Sequence, residues 1–418
     1  MISSSRQIAH WVSGLNIQIH RIPLHPTKMI FYIVLALVFL LSGLIGMLDI
    51  IPYRMAMASF LVLPLFLIHK IRVDRVLISY ALLAFVVASS ALLNHSSPTE
   101  MLLFLRTLVF SYLIYFLVNV YVTEKNITSI IRLCVWIGVI QFPIVFLQQQ
   151  LYDRLPAWLL NGVSKTDFDF GTFNFKGDAP MAFFLILIVV FLLFNRQRRY
   201  IIKHRLFVVV WLTLTVLYMN SQFNKILILG VWVLYAFYHL NLKRMLFFGT
   251  VAVIILGVMG VTGTLQPIVQ ELNKSFISNT SSAKIETFEK GNYGRGAAFA
   301  YYLSQEIKWF GDGPSKYYDP VTRGYVLGNT GHIFTFYAEV GFLGLVLSYV
   351  IFGFMQRAKR PLSSISTIDI LAIGSIIGLS VVIPVMNDIS VVLAFCIFSK
   401  QYLIPIQKTS NPMAVQAI

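Results

Sequence analysis

Two short stretches concentrate the residues able to hold anions and move protons. The first runs Asn292-Tyr293-Gly294-Arg295-Gly296 and continues to Trp309-Phe310, before Gly311-Asp312-Gly313-Pro314. Arg295, Phe299, Tyr302 and Glu306 recur at helical spacing. That spacing predicts an amphipathic helix from Arg295 to Phe310, stopped by the Gly-Asp-Gly-Pro turn. A guanidinium in a first helical turn opposes the helix dipole. Free N–H groups beside a fork of donors suit a phosphate, whereas the plainer reading is a solvated loop arginine. The second stretch is Gly328-Asn329-Thr330-Gly331-His332, directly before an apolar run. On that run His332, Thr335, Phe336 and Glu339 share one helical face, with His332 expected at the membrane interface and Glu339 two turns deeper. An imidazole so placed can take a proton from a hydroxyl, or simply cap the helix. A carboxylate at membrane depth is costly, and is usually paired or functional. Tyr302, Gly311, Gly313 and Asn329 flank these groups as candidate substrate contacts.

Other charges stand elsewhere. Arg106 falls inside an apolar run, where a cation needs a partner or a wet cavity. Lys225 opens another run after Asn220-Ser221-Gln222-Phe223-Asn224, and either faces an anion or snorkels to the interface. Asp167 and Asp169 form a DxD within Lys165-Thr166-Asp167-Phe168-Asp169-Phe170-Gly171-Thr172-Phe173-Asn174-Phe175-Lys176. Such a pair can hold a divalent metal on a diphosphate, but three residues specify little, and turn or interface packing is the stronger reading. The phenylalanines are expected to pack on helices or lipid.

The elements that must position these groups follow from composition. The 418 residues are 57% hydrophobic and 12% charged, with mean hydropathy +0.76. A soluble domain carries about 25% charged residues, so no water-facing surface can be built from this chain, and disorder and disulfide scaffolds are excluded too. Cys134 and Cys396 lie in apolar runs and read as small core hydrophobes. The class is an all-α polytopic membrane protein. At roughly 20 residues per span, about twelve spans are expected near 29–48, 52–68, 74–93, 101–122, 127–148, 179–194, 206–220, 223–239, 245–262, 333–355, 367–384 and 389–406. Residues 1–28 are expected to form an amphipathic segment through Ile8, Trp11, Leu15 and Ile19, ahead of a first span that stays as an anchor. Basic residues alternate between loops: Lys70, Arg72 and Arg75; Lys125; Arg196, Arg198, Arg199, Lys203 and Arg205; Lys243 and Arg244; Arg357, Lys359 and Arg360. That alternation predicts both termini, including the tail 407–418, in the cytoplasm. The net charge of +16 then rests against anionic membrane lipid and requires no nucleic acid. Two long outward loops remain, at 149–178 and 263–332. No internal repeat is evident.

Arg295, Gly311-Asp312-Gly313, His332 and Glu339-Val340-Gly341-Phe342-Leu343-Gly344 resemble the C-terminal signature of the O-antigen polymerases and ligases (the Wzy and WaaL group). Phe170-Gly171-Thr172-Phe173-Asn174 is similar to the stretch preceding the sixth span in that group. The resemblance covers about 170 to 345 and the twelve-span layout. It implies a GT-C-type glycosyltransferase of the bacterial inner membrane, acting on the periplasmic side. The implied donor and acceptor are undecaprenyl-diphosphate-linked oligosaccharides, joined by inverting, metal-independent transfer without a cofactor, with a chain-length regulator as a further partner. Arg295, Arg106 and Lys225 would grip the diphosphate, and His332 or Glu339 would activate the acceptor hydroxyl. Lys225 stands where members carry arginine, and Asp167 and Asp169 where they often carry basic residues. Polymerisation is the favoured reading. A ligase acting on lipid A-core shares the chemistry, and a transporter or flippase is the alternative from another class, although related halves are not seen.

Overall fold

The structure, a computed structural model, describes residues 26–48, 58–156, 168–173, 177–195, 204–219, 221–239, 301–302, 304–319, 324–325, 331–357, 367–381 and 383–404, with residues 159, 165 and 202. It is that of an α-helical membrane protein. Among the described residues the helices are α1 (Pro26–Met47), α2 (Ala58–Ile68), α3 (Arg75–Leu93), α4 (Pro98–Tyr121), α5 (Ile127–Leu151), α6 (Asp178–Phe194), α7 (Arg205–Tyr218), α8 (Gln222–His239), α9 (Gly331–Arg357), α10 (Thr367–Leu379) and α11 (Ile389–Ser399). Of these, α1, α3, α4, α5 (with the 3₁₀ turn that follows it) and α9 are long and apolar enough to cross a bilayer, and the others are shorter apolar helices. Eleven of the twelve expected spans coincide with one of these helices. The span expected at 245–262 and the amphipathic segment before residue 26 lie outside the described residues.

Local chemistry sets the helix starts. Asp74 accepts a hydrogen bond from the Leu77 amide at 2.8 Å at the head of α3. Ser97 and Glu100 close a reciprocal capping box at the head of α4, with Pro98 in the first turn. Asp388 accepts from the Ser390 and Val391 amides ahead of α11. Helix α6 is apolar on every side, and each residue from Ala179 to Phe194 is buried. A helix of that kind belongs at a centre, and α5, α7, α8, α10 and α11 pack around it.

The Phe-Gly-Thr-Phe stretch docks on this core. Gln141 on α5 exchanges hydrogen bonds with Thr172, and Gln148 with Gly171, at 2.8–3.0 Å. Thr172 Oγ1 donates to the Phe39 carbonyl, where α1 widens to π geometry over Leu37–Leu41. Phe168, Phe170 and Phe173 are buried, as the packing reading expected, and Phe173 lies against Phe39 and Phe184.

Helix α9 departs from the expected single span. Gly341 has φ 76° and ψ −172°, a region open essentially to glycine. His332 Nε2 lies 2.9 Å from Ser348 Oγ, and the His332 ring centroid is 5.9 Å from that of Tyr349. Sixteen residues of straight helix would separate these side chains by about 24 Å. The chain therefore doubles back at Gly341. One arm comprises residues 331–340 and the other 342–357, and the far end of the shorter first arm meets the second partway along, at Ser348 and Tyr349. The second arm runs along α3 from the Asn94 end, with Gly344 facing Leu83, and ends where Gln356 donates to Asp369. His332 thus lies at the far end of the first arm and Glu339 beside the vertex. A two-residue antiparallel pairing, β1 (Tyr318–Asp319) with β2 (Gly324–Tyr325), precedes the hairpin.

Candidate functional site

Breaking a helix inside a bilayer frees backbone groups that water cannot satisfy. At this vertex the segment 308–313 satisfies them. The amides of Asp312 and Gly313 donate to the carbonyls of Ala338 and Glu339, at 2.6 and 3.1 Å, closing the first arm. The amides of Phe342 and Leu343 donate to the carbonyls of Lys308 and Trp309, at 2.8 and 3.3 Å, opening the second. From α3, Ser90 Oγ lies within hydrogen-bond distance of the Phe310 and Glu339 carbonyls, and Asn94 Nδ2 donates to the Gly311 carbonyl at 3.2 Å. A Cβ on Gly311 would come within 2.6 Å of the Glu339 carbonyl carbon and the Gly341 nitrogen. Glycine at both positions lets strap and vertex touch through backbone.

The strap is itself anchored by polar side chains. Lys308 Nζ pairs with Asp312 Oδ1 at 2.6 Å. The Tyr317 hydroxyl donates to the other Asp312 oxygen at 3.1 Å, and the Tyr302 hydroxyl to that of Tyr317 at 3.1 Å. Burial raises both phenols above the ordinary tyrosine range, which keeps them protonated donors. The Tyr337 hydroxyl accepts from the Lys308 amide at 3.1 Å, and its ring meets that of Tyr302 edge-on. The helix expected to run to Phe310 has ended by Gln305, and beyond it the backbone of Lys308, Trp309, Asp312 and Gly313 is bonded to α9 instead.

Glu339 sits inside this arrangement. Its side chain is fully buried, and neither carboxylate oxygen has a hydrogen-bond partner among the described residues. The backbone amides of Ser315 and Tyr317 face the carboxylate without closing a bond. Ser315 is buried, its Oγ likewise lacks a partner, and its backbone is left-handed at φ 55°. Few groups are left this way in a folded interior, and each calls for a reason.

The other sequence candidates fall into three sets. Tyr302, Gly311 and Gly313 join Glu339 at the vertex. His332 shares the helical face with Glu339 as expected, but about 10 Å further along the arm. It is fully buried with Nδ1 unpartnered, Nε2 on Ser348 and its ring 3.9 Å from Phe336. Its amide donates to the Ile383 carbonyl, so it is bound into the helix packing. Arg106 lies on the face of α4 that carries exposed Leu102 and Val109, opposite the stripe through Phe104 that meets Phe336. Lys225 stands in the first turn of α8, which packs on α6, α7 and α10. Among the described residues, neither cation shares a hydrogen bond or ion pair with the vertex. Asp169 is buried. Arg295, Asn329 and Asp167 lie outside the described residues.

Sequence reasoning passed over Lys308, Asp312, Ser315, Tyr317 and Tyr337, and over Ser90 and Asn94. Two faint signals existed. Lys308 and Asp312 are four residues apart with opposite charge, and Ser90 and Asn94 repeat that spacing at the end of an apolar span. No protein-family model, curated protein or solved structure matches the chain.

Proposed function

We propose that this protein is a GT-C-type inner-membrane glycosyltransferase with twelve spans, polymerising undecaprenyl-diphosphate-linked oligosaccharide repeat units on the periplasmic side. The observation that carries the reading is the uncompensated Glu339 carboxylate. It is buried at a helix reversal under the segment 308–317, in the Glu-Val-Gly-Phe-Leu-Gly stretch on which the sequence resemblance rests. A sugar hydroxyl is a poor nucleophile, and a positioned base contributes roughly 10²–10⁴-fold. Glu339 is that base. The acceptor oxygen bonds to the anomeric carbon of the donor as the bond from that carbon to the diphosphate oxygen breaks. The hydroxyl proton passes to Glu339, and the diphosphate leaves with the electron pair. Arg295 stabilises that growing negative charge. His332 holds the arms of the hairpin together through Ser348, and so fixes where Glu339 stands.

Deletion of the gene in the source bacterium tests the reading. Lipopolysaccharide gels should show core capped by a single repeat. Bare core with polymer retained on the lipid carrier would mean a ligase, and an unchanged ladder would remove the enzyme from polymer synthesis. Repeat units trapped on the cytoplasmic face would mean a flippase.

A further inference from the structure

We infer that Glu339 and the Ser315 turn together form the subsite that receives the acceptor, holding adjacent hydroxyls of its terminal sugar. Two side chains at the vertex, Glu339 on the helical arm and Ser315 in the turn that lies over it, are buried with polar atoms left without a hydrogen-bond partner. The Glu339 carboxylate has acceptor capacity on both oxygens, and the Ser315 hydroxyl has a donor and lone pairs unused. The Ser315 and Tyr317 amides face the same carboxylate. Neighbouring hydroxyls on a sugar ring match this set, one donating to the carboxylate while the other pairs with Ser315 Oγ. A diphosphate does not match it, since it would bring negative charge against the carboxylate. The turn lies one residue beneath the surface, because Lys316 beside Ser315 is exposed. It is held in shape by the bonds from Tyr302 to Tyr317, from Tyr317 to Asp312 and from Lys308 to Asp312.

The backbone supports a specific role for the hydroxyl. At φ 55° a glycine would sit without strain, and asparagine would be tolerated, yet the chain carries serine. Ser315→Gly therefore deletes the hydroxyl while suiting the local conformation, and Ser315→Asn restores a polar side chain.

This rests on the transferase reading, and the test separates the two. Purified protein in lipid is treated with dicyclohexylcarbodiimide, which modifies buried carboxyls, and modification of Glu339 is followed by mass spectrometry. The protecting probe is the lipid-linked oligosaccharide fraction extracted from cells lacking the gene, and undecaprenyl diphosphate without sugar is the control. At ten times its Kd the glycolipid should slow labelling about tenfold, and the sugar-free lipid should not. Ser315→Gly should raise the protecting concentration roughly five- to tenfold, and Ser315→Asn should recover part of it. Equal protection by both lipids, or a Ser315→Gly protein protected at the wild-type concentration, overturns the subsite. Where Glu339 resists the reagent, kinetics decide: Ser315→Gly must raise the acceptor KM by the same factor with kcat held within about twofold, and an unchanged KM overturns the proposal. Protection without polymer formation would sink the transferase and keep the subsite. Polymer formation without protection would do the reverse.

Discussion

On the proposed reading, Glu339 is one side chain that opposes stability and serves chemistry together. A buried carboxyl group faced only by the Ser315 and Tyr317 amides is poorly compensated for the water it has lost, so replacing it with an uncharged isostere should relieve the fold. Glu339→Gln is accordingly expected to insert at normal level and to melt at or above the wild-type temperature in detergent, while transfer falls roughly 10²–10⁴-fold. Stability gained as activity is lost is the mark of a functional strain. A variant that unfolds at lower temperature and still polymerises would make Glu339 a structural acid. His332 is expected to behave in the opposite way. Its Nε2 bond to Ser348 and its contact with Phe336 are packing interactions, so His332→Ala should lower the melting temperature and leave a measurable rate in whatever protein remains folded. A rate loss as deep as that of Glu339→Gln, in a protein of wild-type stability, would hand the base role to the imidazole.

The helical hairpin is the element on which the site depends, and it can be measured directly. With Cys134 and Cys396 replaced by alanine, spin labels at Ile333 and Phe354 should lie within about 10–15 Å of each other, whereas a straight helix would hold them about 31 Å apart. Gly341→Ala should abolish the folded state, since a side chain at φ 76°, ψ −172° is strained and its Cβ would run into the Trp309 carbonyl. An alanine variant of normal stability would show that the chain can cross this point as a continuous helix. The apolar helices were legible in the sequence because each needs only an apolar run, and the capped starts at Asp74 and Ser97 are local signals. The reversal was not. Residues 331–357 are mostly apolar, and glycine is common in membrane helices, so glycine type alone does not distinguish Gly341 from Gly353. Its conformation is set by a strap about thirty residues upstream and by Ser90, about 250 residues away in sequence. For the same reason Glu339, Gly311 and Gly313 could be singled out by type and motif. Lys308, Asp312, Ser315 and Tyr317 gained meaning only once the strap was seen to close on the vertex.

At the scale of the whole molecule the hairpin leaves the crossing to its second arm, about 24 Å long. The first arm reaches no further than its own length, about 15 Å, from the vertex. The loop before α9 and the segment after it should therefore stand on opposite sides, as the basic residues of the connecting loops suggest. Reporter fusions after Asn279 and after Lys359 should report the periplasm and the cytoplasm respectively. The same side for both would mean that the second arm also turns back, and would reject the orientation on which the periplasmic reading rests.

The strap that closes the vertex also carries a consequence in time. Ser90 must wait for Phe310 and Glu339, some 220 to 250 residues later in synthesis, before its hydroxyl finds either carbonyl. Contacts this distant in sequence are costly to close and form slowly. Residues 331–357 therefore enter the bilayer as one greasy segment, and the reversal is among the last events of maturation. Weakening it, as in Ser90→Ala, should mainly hasten unfolding and scarcely slow folding, as expected for interactions absent from the transition state. A cell that degrades immature membrane proteins would then see two populations of this chain, an early inserted form lacking the closed vertex and a late form in which strap and hairpin have joined.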